Sequence, residues 1–236
     1  GGRNVFLGHQ AGTENGATPM TGDDNIAIGY QAGLKLEQSA NKNILIGSYA
    51  GDGQTVGDEM VFIGYQAGTG IVTSDANGTI GIGYQAMTGN VSGVGNVAIG
   101  YRAATAVTSA THNTVLGYDA FYRASSAADK NVVIGSNAMS GNFTSADVDG
   151  CVIIGYDAGS GALDQNASGS VFIGMQAGKT ITSGNKNVAI GFQALDNENT
   201  GGGNVAVGYQ AATSQQGASE NTIIGDRAGE NISSGN

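Results

Sequence analysis

A glycine recurs thirteen times along this chain, each time closing the same short apolar run. The positions are Gly8, Gly29, Gly47, Gly64, Gly83, Gly100, Gly117, Gly135, Gly155, Gly174, Gly191, Gly208 and Gly225. The gaps run from 17 to 21 residues, and six of the twelve are 17. A unit this short cannot bury a core alone. Successive units must stack on one another and share one. As a consensus the unit reads Asn-Val-Ala-Ile-Gly-Tyr-Gln-Ala-Gly.

Each place in the unit has its own restriction. The residue before the glycine is always Ile, Leu or Val, and the residue three before it is Val, Ile or Thr. These two share parity, so in a strand they face one side. The spacing predicts that they form stacked ladders inside the coil. Helix is excluded because β-branched residues dominate and a glycine interrupts every unit.

The residue between those two has the opposite parity, and it is never polar. It includes Phe6, Leu45, Phe62, Val115, Val133, Ile153, Phe172 and Ile223. A strand with one wet face should alternate to polar residues. Here both faces are apolar in every unit. The pattern therefore predicts that the middle residues line an interface between identical chains, arranged around a rotation axis. Pattern alone leaves two or three subunits open.

The third residue after the glycine is Ala in all thirteen units, from Ala11 to Ala228. This predicts a close approach of two walls. The residue between is Gln in seven units and otherwise Asp, Arg, Asn or Tyr, which reads as an exposed position. The residue directly after the glycine is usually aromatic, as at Tyr30, Tyr84 and Phe192. Its direction depends on how the glycine bends the chain, and the sequence leaves it open. Asn opens nine of the units, among them Asn25, Asn96 and Asn204, and stacked Asn side chains can hydrogen-bond along the axis. Cys151 takes that place in its own unit, where a buried, inert thiol is expected.

Composition narrows the function. Glycine supplies 42 of 236 residues, with one proline, so the glycine marks corners and not collagen or a proline-rich linker. Disorder is excluded by the 40% hydrophobic content and its periodicity. The net charge of −10, with nine Lys and Arg in all, argues against nucleic acid and anionic membranes as partners. No apolar run reaches membrane-spanning length, so direct membrane insertion is not expected. One cysteine excludes an intrachain disulfide framework. Because both ends fall inside the repeat pattern, residues 1–236 read as a single solenoid domain cut from a longer array. If each rung rises ~4.8 Å, twelve steps give a rod of roughly 60 Å.

Asn-Val-Ala-Ile-Gly with Ala three residues later resembles the head repeats of trimeric autotransporter adhesins. The Tyr-Gln pair, as at Asn25–Gly33 and Asn204–Ala212, is similar to repeats of phage-like trimeric tail fibres. The resemblance covers essentially the whole chain. It implies an all-β, left-handed parallel β-roll of about thirteen rungs, two identical partner chains completing a homotrimer, and an extracellular place on a bacterial surface or a phage-like particle. It also implies attachment to a target surface. The unit here is longer and less regular than in the autotransporter heads.

No catalytic residue, metal site or cofactor is expected. His9 and His112 lie too far apart to share a metal. The acidic pairs Asp23–Asp24, Asp58–Glu59 and Asp147/Asp149 read as solvated loop charge, with Ca²⁺ as the competing reading. The glycines 201–203 lack the lysine and the helix of a phosphate loop. A polysaccharide-processing β-helix enzyme is the second function class, and it needs a charged cluster in a groove. For receptor contact, to a glycan or a protein, the candidates are Phe121, Tyr122, Arg123 and Phe143, which stand outside the repeat pattern. A passive shaft, with recognition carried elsewhere, is the alternative to an adhesive segment.

Overall fold

The computed structural model describes residues 2–13, 22–36, 40–53, 57–70, 76–89, 92–123, 128–142 and 148–232. The chain divides into two compact units, Gly1–Asn113 and Thr114–Asn236. Each is a parallel β-solenoid. The first carries β1 (Val5–Leu7), β2 (Ile26–Ile28), β3 (Ile44–Ile46), β4 (Val61–Ile63), β5 (Ile80–Ile82) and β6 (Val97–Ile99). The second carries β7 (Thr114–Leu116), β8 (Val132–Ile134), β9 (Val152–Ile154), β10 (Val171–Ile173), β11 (Val188–Ile190), β12 (Val205–Val207) and β13 (Thr222–Ile224). A 3-10 turn spans Gln165–Ala167. Among the described residues no helix is long and apolar enough to cross a membrane.

Within each unit consecutive strands pair in parallel and in register. Ile26, Ala27 and Ile28 face Ile44, Leu45 and Ile46, which face Val61, Phe62 and Ile63. Each residue thus stacks on its equivalent in the next rung. Aliphatic, β-branched residues suit this arrangement because their branched surface packs on the pleat of the neighbouring strand.

The two strand faces are reversed from the sequence expectation. The middle residue points inward: Leu45, Phe62, Val133, Ile153 and Phe172 are 0% exposed and Val115 is 1% exposed. These side chains are sealed in their own coil and do not form a subunit interface. Phe6 and Ile223 are partly exposed, on strands with a neighbour on one side only. The outward face belongs to the flanking residues, which are half-buried or exposed on every rung. The cause is the length of the strand. A three-residue strand in a narrow coil has room for one inward side chain, so the two that share parity must face out. Alternation fixes which residues share a face but not which face is inside. The apolar character of both faces stands.

The interior is packed by compensation, within some rungs and between neighbouring ones, as where Gly33 leaves room for Leu45 of the next rung. The middle strand residue meets the fourth residue after the motif glycine. Phe62 is matched by Gly68 and Phe172 by Gly178, and a Cβ at Gly178 would lie 2.8 Å from the Phe172 ring. On two rungs the strand residue is small and its partner large: Gly81 with Met87 and Ala189 with Leu195, all buried; on others both are small, as Ala98 with Ala104 and Ala206 with Ala212. Interiors at crystal-like density require this, since a methylene too many or too few is felt. A third inward place, seven residues after the glycine, holds Leu36, Val107 and Ile181.

Corners are built from left-handed backbone. The motif glycines have φ near +135°, as at Gly29 (137°) and Gly174 (136°). A Cβ at Gly29 would lie 2.6 Å from the Gly47 carbonyl, so only glycine fits. Two residues on, a non-glycine residue is left-handed in every unit, from Gln10 (56°) to Arg227 (50°). Such residues cost energy individually. They persist because the corner N–H groups bond the neighbouring rung, as Tyr49 N does to Tyr30 O at 2.8 Å.

The Asn column forms as expected. Asn25 Oδ1 accepts from Asn43 N at 3.0 Å, and Asn25 Nδ2 donates to Ala40 O at 2.7 Å. Asn187 and Asn204 repeat the pattern in the second unit. Every polar atom of these buried amides is used, which a buried polar group needs. Cys151 is buried in the same slot, its Sγ 3.5 Å from Ala167 O, and burial pushes its thiol pKa up. A thiol so placed is inert.

Candidate interaction surfaces

Three columns run along the outside of each unit. The first is aliphatic, made by the flanking strand residues. Ile99 and Ile190 are 36% exposed and Leu116 is 44% exposed, a large apolar area for a protein surface.

Beside it runs an aromatic column from the residue after each glycine, and it faces outward. In the first unit His9 stacks on Tyr30 with centroids 5.4 Å apart. Tyr65 stacks on Tyr84 at 5.4 Å and Tyr84 on Tyr101 at 4.9 Å. Ser48 would break the column, but Tyr49 from the next position fills the gap edge-on, 5.3 Å from Tyr30 and 6.0 Å from Tyr65. In the second unit Phe192 stacks on Tyr209 at 5.2 Å, while Ser136 and Met175 interrupt the column. Stacked rings spend their faces on each other and show edges to solvent, so they offer little platform for a sugar ring. Next to them the Gln side chains form a ladder, as in Gln210 Nε2 to Gln193 Oε1 at 2.9 Å.

The third column is polar and precedes the Asn. Its residues sit in left-handed backbone, including Asp24, Lys42, Glu59, Lys186 and Glu220. In the first unit it pairs Arg3 with Asp24 at 2.7 Å and Lys42 with Glu59 at 2.9 Å. The Lys42 pKa is raised, first by its hydrogen bond to Glu59. One residue earlier, Asp58 Oδ1 accepts from Asn41 N at 2.7 Å and Asp149 Oδ1 from Asp129 N at 2.7 Å. These carboxylates tie rung to rung. Among the described residues no three His, Cys, Asp or Glu gather into a metal-binding group. Asp147 lies outside the described residues.

The receptor candidates separate. Phe121 is 0% exposed; it is the large partner of Val115 in the core and is not available to a receptor. Tyr122 is half-buried, and the exposed Arg123 guanidinium carbon lies 5.7 Å from its ring centroid. Phe143 lies outside the described residues.

Sequence reading missed Glu198 and Gln215. Both occupy the third inward place, where Leu36, Val107 and Ile181 stand on other rungs, and both are 0% exposed. Glu198 Oε1 accepts from Thr200 N at 3.1 Å, Gly201 N at 2.7 Å and Gly217 N at 2.7 Å. Gln215 Nε2 donates to Asn204 Oδ1 at 3.0 Å and Ala218 O at 3.2 Å. Asp196 lies nearby in sequence, and burial raises its pKa against the opposing effect of Lys179. The available signal was a polar residue in an apolar register, but the slot itself is recognisable only once the coil is closed.

No protein-family model, curated protein or solved structure matches this chain.

Proposed function

We propose that the chain is a structural and adhesive segment of an extracellular fibre, made of three identical chains and attaching its bearer to a target surface. The aliphatic column carries the reading. Val, Ile and Leu face outward on rung after rung, flat and in register, beside the aromatic column. A surface of this kind is covered by another copy at modest entropic cost, because both faces are rigid before they meet. Closed rotational symmetry gives every chain the same contacts and leaves no open apolar face. The interface would be lined by residues such as Ile46, Ile63, Ile134 and Ile173. This reading assigns no part to catalysis: Asp24 and Glu59 are held in ion pairs, and Asp58 and Asp149 tie rung to rung.

A passive shaft is the second reading. It is favoured by the first unit, whose outer charges pair with each other and leave little for a ligand.

Sedimentation equilibrium tests the assembly. Three times the chain mass is expected, falling to one for Ile63→Lys with Ile134→Lys. A monomer at micromolar concentration would remove the fibre reading. An array of surface glycans, probed with the assembled protein, separates adhesion from spacing.

A further inference from the structure

The polar column of the second unit has a gap. Lys186, Gly203 and Glu220 hold the same place on three successive rungs, linked by Gly203 N to Asn185 O at 2.9 Å and Glu220 N to Gly202 O at 2.9 Å. On the first four rungs of the first unit Arg3, Asp24, Lys42 and Glu59 put opposite charges side by side, and Gly78 and Gly95 follow them in the column. Here glycine replaces the middle side chain, and Lys186 and Glu220 stand two rungs apart, roughly 10 Å at the backbone. Among the described residues neither has a salt-bridge partner. Between them lies a groove of about 420 Å³, walled by Asn185, Thr200 and Ser219 as well as the two charges.

The floor is built, not incidental. It includes Thr200, Gly202 and Gly203. From beneath, the fully buried Glu198 fixes Thr200 and Gly201 through their N–H groups. From the side, Ser219 Oγ accepts from Gly202 N at 3.1 Å. A floor held this way does not have to be ordered when a ligand arrives.

We infer that this groove binds an acidic sugar residue, a pyranose with a carboxylate at one edge and a vicinal diol at the other. Lys186 pairs with the carboxylate. Glu220 accepts from the two hydroxyls, as a carboxylate with two oxygens can. Asn185 and Thr200 serve the remaining ring oxygens. No aromatic side chain lines the groove, so recognition rests on polar contacts at the two edges of the ring. Glu220 disfavours a phosphate dianion in the same space. The inference rests on the adhesive reading for its purpose and names the chemistry of one contact.

The test uses the full chain and free glucuronate, with glucose as the uncharged control. Saturation-transfer NMR and titration calorimetry should give a Kd of about millimolar for glucuronate. Lys186→Gln and Glu220→Gln should each weaken it by about tenfold, the loss of one charge-assisted contact. Glucose should bind about tenfold more weakly than glucuronate, for the same reason. Gly203→Asn refills the gap at a backbone angle that Asn tolerates, and should abolish transfer while the fold stays intact by circular dichroism. Equal binding by the wild type and Lys186→Gln, or none at about 20 mM glucuronate, overturns the proposal. Glycan-array binding unchanged by Lys186→Gln would leave adhesion standing and remove this groove as its seat.

Discussion

The two units share an interior and differ outside. Both stack Asn amides, both pack a large residue against a small one, and both turn on glycines near +135°. Outside, the first unit closes on itself: its aromatic column is continuous from His9 to Tyr101, and its charges pair across adjacent rungs. The second unit interrupts the aromatic column with Ser136 and Met175 and parts Lys186 from Glu220 with Gly203. One backbone repeat therefore carries two kinds of surface. Interior places are constrained by volume and hydrogen bonding, while exterior places are constrained only by what they meet.

The largest effects should ignore the difference between units. Phe62→Ala and Phe172→Ala should each cost about 3–5 kcal/mol in chemical denaturation, the usual range for emptying an aromatic site. Adding Gly178→Leu to Phe172→Ala copies the Ala189–Leu195 arrangement and should return part of the loss. Unequal costs for the two phenylalanines would break the claim of a common interior. The Asn column should behave alike in both units at a smaller scale. Asn43→Ala and Asn204→Ala should each cost about 2–3 kcal/mol, because buried N–H and C=O partners are left unmet. Cys151→Asn should instead stabilise, by about 1 kcal/mol, since it supplies the amide that its neighbours lack. The smallest effect should tell the units apart. Tyr84→Ser interrupts two stacked contacts and should cost about 1 kcal/mol. Tyr156→Ser, between Ser136 and Met175, should cost less. Hydrogen exchange read unit by unit would place each loss.

Much of the fold was legible in the sequence. The thirteen glycines give the rungs, and Asn at a fixed distance before them gives a buried hydrogen-bonded column. Parity gave two apolar faces but assigned them the wrong way round, because Ala27 and Ile28 are both apolar and only closure of the coil decides which is inside. Phe121 illustrates the same limit. Outside the consensus it resembles a surface aromatic, yet it fills space that Val115 leaves beside it. Its role depends on the volume of a residue six positions earlier, a relation between places and not a property of either. The groove was illegible for a related reason: it is made by what Gly203 omits.

The in-register stacking has a consequence for length. Each rung presents to the next the same surface it receives from the one before, so rungs are interchangeable at their junctions. Removing residues 188–204 would join Asn187 to Val205 in phase and set Val171 against Val205, a pairing the chain already makes in kind. A chain built this way can lengthen or shorten by whole turns without redesigning a core. Its reach is then adjustable separately from its chemistry, and one altered rung can carry a contact while its neighbours keep the structure.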